Sequence, residues 1–280
     1  MRPRFVEFLN ELTGTSLGEW LVPYPALMYA IAMLTGLIVF VRRSKLVGLR
    51  PYYAAGAAVS AMLCGMIGAR LFYILWHIDK FPNPHIALFA FSGSTFSWGA
   101  YLGGMIGFVL YLYYNREQLL PWLDMLAPIL GLGVFVGRWA CFVNGDDFGR
   151  ISTMPWAVSF PPGSIPFAHQ LNEGLIPLMS EASLAVHPVQ LYLSFNGLVL
   201  FLLFSYIWRK NALKPGMIMV SYVVAYACSR FGLEFFRGDY HQMYAGLFTS
   251  GQLFSGLLIL LMLVGIIFHK LKKHLVTNRV

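Results

Sequence analysis

The chain has 280 residues, 58% of them hydrophobic and 11% charged. Soluble domains carry about 25% charge, so a soluble core with a single anchor is excluded and a polytopic membrane protein is implied. The net charge of +8 does not signal a nucleic-acid partner, because most basic residues lie in short segments between apolar runs.

The opening stretch holds Glu7, Glu11 and Glu19 ahead of the first apolar run. That is not the pattern of a cleaved signal peptide, and it is expected to form an amphipathic arm at the membrane interface. Seven apolar segments then follow, at 22–41, 52–76, 97–114, 122–143, 187–208, 216–236 and 251–269, each near the ~20 residues that a spanning helix needs. Three arginines interrupt them: Arg70 in the second, Arg138 in the fourth and Arg230 in the sixth. A charge at the centre of a membrane helix costs about 2.5–3.5 kcal/mol even on lenient scales, so such residues usually mark a working site. A snorkelling arginine, or one paired only for structure, is the alternative for any one of them.

Loop charge sets the orientation. Twelve basic residues fall in one set of connections (Arg42, Arg43, Lys45, Arg50, Arg116, Arg209, Lys210, Lys214, Lys270, Lys272, Lys273 and Arg279) and five in the other (Arg2, Arg4, Lys80, Arg150 and Arg237). The richer set belongs inside, so the N-terminus is expected outside and the C-terminus in the cytoplasm. The outer loops 77–96 and 144–186 are too polar and too rich in Pro and Gly to span. The expected architecture is therefore all-α: a polytopic membrane protein of seven transmembrane helices with a small outer (periplasmic) head. Residues 1–280 form a single integral membrane domain, within which 144–186 makes the head or lid.

Orientation also gives depth. Each arginine precedes the outer end of its helix by about five or six residues, or roughly 8–9 Å at 1.5 Å per residue. Three cations at one level suggest a shared cavity for an anion, most simply a phospholipid headgroup, since the planar guanidinium fork matches phosphate. Around them, Tyr226, Arg230 and Glu234 recur at i, i+4 and i+8 on one helix face, with Arg237 at its outer end. Glu234 either holds Arg230 in place or meets the substrate. The fourth helix ends in polar groups at Arg138, Asn144 and Asp146, and the fifth opens His187-Pro188, where His187 is either a helix cap or an acid–base group. Cys64, Cys141 and Cys228 have no metal or disulfide spacing. Neither a metal, a nucleotide nor a covalent cofactor is expected.

Three blocks, GRWACFVNGDDFGR (137–150), HPVQLY (187–192) and YACSRFGLEFFR (226–237), occur in this order along a chain of seven apolar segments. They resemble the prolipoprotein diacylglyceryl transferase family, and weaker likenesses (YPALMY, IGARLFY, SWGAYLGG, SGQLFS) extend over nearly the whole chain. The resemblance implies transfer of a diacylglyceryl group from phosphatidylglycerol to the lipobox cysteine thiol of a prolipoprotein, in a bacterial inner membrane, with release of glycerol phosphate. It implies that Arg138 and Arg230 hold the lipid phosphate and stabilise the leaving group, and that Glu234 orients Arg230. Arg70, Trp98, Asn144, Gly149, Gln190, Tyr226 and Arg237 would line the substrate pocket. Departures from the family pattern leave the general base open. Trp98 stands where the family has a histidine, Pro25 where it has a tyrosine, Cys141 where it has an asparagine, and Asp146 and Leu193 where it has glutamates. Asp146, Asp147 and His187 are the candidates, or none is needed because a thiol near arginines has a lowered pKa. A non-catalytic lipid-binding accessory and a small transporter are the alternatives; the second would place its charges at midplane, whereas these lie toward one face.

Overall fold

The computed structural model describes residues 25–78, 97–239 and 248–277. The expected interfacial arm and most of the loop 77–96 lie outside the described residues. The elements are α1 (Pro25–Leu46), α2 (Pro51–Trp76), α3 (Ser97–Tyr114), α4 (Leu119–Asn144), α5 (Ile165–Asn172), α6 (Val189–Arg209), α7 (Met217–Leu233) with a 3₁₀ turn at Glu234–Phe236, and α8 (Ser250–Thr277). Among the described residues there is no strand, only isolated bridges. The all-helical expectation holds. Five helices, starting at Leu27, Pro51, Leu119, Val189 and Met217, are long and apolar enough to cross a membrane, while the apolar stretches Gly99–Tyr114 and Gly251–Gly265 are shorter.

Proline and the helix termini explain where the boundaries differ from expectation. α2 starts at Pro51 behind an extended Arg50, because the ring fixes a helical φ and removes an N–H that has no partner there anyway. α4 begins at Leu119 rather than 122, since Pro121 falls inside the first turn, where it is tolerated. The sixth apolar segment ends its α-helix at Leu233 and tightens into the 3₁₀ turn, a common way to satisfy the last carbonyls.

The fold divides into two compact units, residues 37–125 and residues 1–36 with 126–280. In the first, α2 and α3 pack backbone to backbone through glycines. A Cβ at Gly68 would lie 2.3 Å from the Gly99 carbonyl oxygen, and one at Gly103 2.3 Å from that of Cys64. Such close approach is how small residues substitute for a hydrophobic drive between membrane helices, and Ser60 Oγ adds a hydrogen bond to the Gly107 carbonyl at 3.0 Å. Phe40, Phe108 and Trp122 fill the other end, with ring centroids about 6 Å apart. Gly103→Ala is expected to destabilise by about 1–3 kcal/mol through overpacking. Gly133→Ala, on α4 where nothing lies within 4 Å, should be neutral or stabilising; thermal unfolding in detergent compares the two.

In the second unit α4 crosses α6 where Gly131 meets Gly197, and Ser194 Oγ donates to the Phe135 carbonyl at 2.7 Å. α6 joins α7 through Asn196 Nδ2 donating to Ser229 Oγ (3.0 Å) and the Phe204–Tyr222 ring pair. Residues 145–188 fold over the end of α4 on a small core of Phe148, Phe160 and Val186, flanked by Phe142 and Val158. Bridges pair Ile151 and Val158 with Val186, and Gly149 with Arg237. Gln190 and Gln170, both buried, tie polar backbone into this layer, Gln170 through both atoms of its amide to Leu184.

Candidate active site

The exit of α4 builds the site. Gly145 closes the helix in the left-handed region (φ +84°), its N–H donating to the Cys141 carbonyl at 2.8 Å, as glycine past a helix end commonly does. Asp147 is also left-handed, at φ +56°, which Asp tolerates better than most residues. These two turns fold the chain back, so that Asp147 Oδ2 pairs with Arg138 Nη1. The other oxygen, Oδ1, accepts from Arg237 Nη2 at 2.5 Å. Arg237 is itself held by Asp239, through Nε at 2.9 Å and Nη2 at 2.6 Å.

The end of α7 supplies the third cation. Arg230 pairs with Glu234 one turn on. Glu234 is fully buried, and its Oε1 accepts from Thr249 Oγ1 at 3.1 Å. Thr249 caps α8 in a reciprocal box, with Gln252 N–H donating to Oγ1 (3.2 Å) and Gln252 Oε1 accepting from the Thr249 N–H (3.0 Å). Tyr226, a turn before Arg230, stacks on Tyr222. Backbone pairing ties the ends of α4 and α7 together. Arg150 N–H donates to the Phe236 carbonyl (2.8 Å) and Gly238 N–H to the Phe148 carbonyl (3.0 Å), while Arg150 Nε reaches the Arg237 carbonyl (3.2 Å).

Electrostatics separates the two adjacent aspartates. Burial pushes the Asp146 carboxyl above the usual range, with the negative Asp147 adding to it, while an Asn144 hydrogen bond and Arg138 oppose the rise. Burial would raise Asp147 too, but Arg237 and then Arg138 outweigh it and hold that carboxyl below the usual range, Arg230 contributing in the same sense. Asp147 thus lies in the field of all three guanidiniums. Beside it, Gln190 Nε2 donates to the Asp146 carbonyl at 2.7 Å. Among the described residues, Asp146 Oδ1 and Gln190 Oε1 are buried acceptors without a hydrogen-bond partner.

The structure therefore brings together Arg138, Arg230, Arg237, Glu234, Asp146, Asn144 and Gln190. Gly149 enters as a close approach: a Cβ there would sit 2.4 Å from the His187 carbonyl oxygen, to which Gly149 N–H donates at 3.1 Å. His187 does not cap α6, which begins behind Pro188 without a side-chain cap. Its Nδ1 meets Tyr192 Oη at 3.1 Å, and Tyr192 accepts from Trp156 Nε1 at 2.7 Å. The indole can only donate, and the direction of the His187–Tyr192 bond follows the imidazole tautomer. Arg70 is buried on α2 and belongs to the 37–125 unit. Trp98 belongs to the same unit, and its side chain lies outside the described residues.

Sequence reasoning missed three members. Asp147 entered only as one of several bases, Asp239 not at all, and Thr249 carried an unread signal in its T-x-x-Q capping box. Cys141, at the family's asparagine position, is buried beside Tyr29, whose hydroxyl lies 3.4 Å from its sulfur. Arg138 Nη1 reaches the same sulfur at 3.9 Å.

Comparison with known proteins agrees with the motifs. The family profile described as prolipoprotein diacylglyceryl transferase matches residues 15–268. The phosphatidylglycerol–prolipoprotein diacylglyceryl transferase of Rhizobium meliloti (strain 1021) is 37% identical over 188 residues, 66% of this chain and 59% of that protein. The proteins of the same name from Corynebacterium glutamicum (strain ATCC 13032) and Prochlorococcus marinus (strain MIT 9301) are 27% and 24% identical, over 88% and 95% of this chain and 82% and 95% of their own lengths. The stretch shared with the Rhizobium protein thus spans less than two thirds of that relative's length.

Proposed function

The chain belongs to the prolipoprotein diacylglyceryl transferase family, and on that premise we propose that it moves the diacylglyceryl group of phosphatidylglycerol onto the lipobox cysteine thiol of a prolipoprotein. The observation that carries this reading is the meeting of Arg138 and Arg237 on one carboxylate, Asp147, beside the Arg230–Glu234 pair at the end of α7. Cations so arranged at the ends of two apolar helices suit a phosphodiester held at the membrane surface.

In the reaction the thiol sulfur attacks the glyceryl carbon that bears the phosphate. A carbon–sulfur bond forms, the carbon–oxygen bond breaks, and glycerol phosphate leaves with the electron pair. Arg138 and Arg230 stabilise the charge that develops on that leaving group. Glu234 orients Arg230. Asn144, Gly149, Gln190, Tyr226 and Arg237 shape the pocket. The nucleophile is the substrate's cysteine, so none of Cys64, Cys141 and Cys228 has to react.

Asp146 is the base best placed to take the thiol proton. Asp147 is engaged by two arginines and the His187 Nδ1 by Tyr192, whereas Asp146 keeps a buried oxygen without a partner. A carboxylate base works only when ionised, and burial has raised its pKa. The rate of transfer should therefore fall as pH drops through a value above the ordinary ~3.9 of Asp. Asp146→Asn should lower kcat and remove that acid limb from a pH–rate profile; an unchanged limb would reassign the base.

The same reading places the protein as a multi-pass protein of a bacterial inner membrane. Seven helices cross it, the N-terminus lies outside and the C-terminus in the cytoplasm, and residues 1–280 form one integral domain whose segment 144–186 is a periplasmic head. The test is direct. Membranes containing this chain are given labelled phosphatidylglycerol and a lipobox peptide, and thioether product and glycerol phosphate are measured together. Lipid binding without turnover would instead make it a non-catalytic accessory protein, and uptake into sealed vesicles would make it a transporter.

A further inference from the structure

Among the described residues, the ion pairs around Asp147 balance in charge before any lipid arrives. Arg138, Arg230 and Arg237 are matched by Asp147, Glu234 and Asp239, each in a direct ion pair. Adding Asp146 and the exposed Arg150 leaves the count even. A phosphodiester approaching this cluster meets no surplus positive charge among these described side chains, and it would add one more anion to a partly desolvated site, which is costly. One carboxylate has to yield its arginine.

The geometry singles out which. Glu234 is fully buried, hydrogen-bonded to Thr249 and backed by Gly251, where a Cβ would lie 2.3 Å from its Oε1. Asp239 holds Arg237 through two contacts. Asp147, by contrast, keeps 27% of its side-chain surface accessible and touches Arg138 through one oxygen only, while its other oxygen is anchored on Arg237. Asp147 is therefore the carboxylate whose bond to its arginine is most open to exchange.

We propose that Asp147 is an exchangeable internal counter-ion. Its Oδ2 neutralises Arg138 in the lipid-free state and gives way to a phosphate oxygen when an anionic lipid headgroup enters, while Oδ1 stays on Arg237. This rests on the reading above, in which Arg138 meets the lipid phosphate. The exchange makes the resident carboxylate a competitor of both substrate and product, so it weakens phosphate binding and speeds departure of glycerol phosphate.

The test uses the full-length protein in detergent micelles with phosphatidylglycerol, a lipobox peptide and glycerol 1-phosphate as product inhibitor. Asp147→Asn keeps the shape and removes the charge. It should lower KM for the lipid and the inhibition constant of glycerol 1-phosphate together, each by roughly tenfold, the scale of one charge-assisted contact. The rate at saturation should not rise. Asp147→Glu, which restores the charge, should keep KM near that of the unaltered protein. A KM that is unchanged or higher in Asp147→Asn, or equally lowered in Asp147→Glu, overturns the proposal.

A second readout needs no variant. Carbodiimide labelling of Asp147, followed by peptide mass spectrometry, should increase when phosphatidylglycerol is added and not when phosphatidylcholine is; equal labelling with both lipids also overturns it. Arg138→Ala separates the two levels of argument. If that variant transfers normally, the phosphate-holding role of Arg138 fails. If it loses transfer while Asp147→Asn leaves KM untouched, the exchange alone fails.

Discussion

Arg138→Ala is expected to lower kcat/KM for diacylglyceryl transfer by about a hundred- to a thousandfold, the size seen when one preorganised donor to a developing anion is removed. The loss should fall mainly on kcat. The negative charge on the departing phosphate oxygen is greatest in the transition state, and an interaction that grows there is lost from the rate rather than from ground-state binding. Unfolding should change little, because Asp147 keeps its 2.5 Å contact with Arg237. Arg138→Lys should recover only part of the activity. A lysine supplies the charge but not the planar fork that donates two parallel bonds to a phosphate. Measured kcat and KM for both variants, beside their unfolding temperatures, decide the matter. Transfer within a few-fold of the unaltered protein in Arg138→Ala would remove this residue from the chemistry.

Local order was readable from the residues, and long-range order was not. Each of the seven apolar segments carries an α-helix among its described residues, because a backbone in an apolar setting has to satisfy its own hydrogen bonds and runs of this length have few alternatives. The Arg230–Glu234 contact follows from i, i+4 spacing on one helix. The Arg138–Asp147 pair does not, since it depends on two left-handed residues, Gly145 and Asp147, that turn the chain back on itself. Asp147 therefore looked like a spare acid, whereas its partners are nine and ninety positions away. Thr249 shows the same limit. Its capping box is a local pattern, but that its hydroxyl also seats Glu234 depends on how α8 packs on α7. His187 is the converse case, a residue whose type suggests chemistry while its ring is engaged by Tyr192 and Phe236.

The largest effect on stability should come from Glu234. Its side chain is fully buried, it carries the counter-charge of Arg230, and it accepts from Thr249. Glu234→Ala leaves a guanidinium that is 13% accessible without its carboxylate, and breaking one side of a buried pair typically costs about 3–5 kcal/mol. That is a large part of the ~5–15 kcal/mol by which a folded domain is stable, so the variant should unfold at a markedly lower temperature in detergent. Glu234→Gln keeps an acceptor for Thr249 and fills the space against Gly251, and should fall between the two. Thr249→Val removes only the neutral hydroxyl and one half of the cap, for a cost of about 1 kcal/mol. The order Glu234→Ala, Glu234→Gln, Thr249→Val, from most to least destabilising, follows from burial of the charge rather than from loss of contacts. If Glu234→Ala unfolded no earlier than Thr249→Val, the pair would be contributing orientation alone. Arg230 would then have its charge satisfied by other groups of the network.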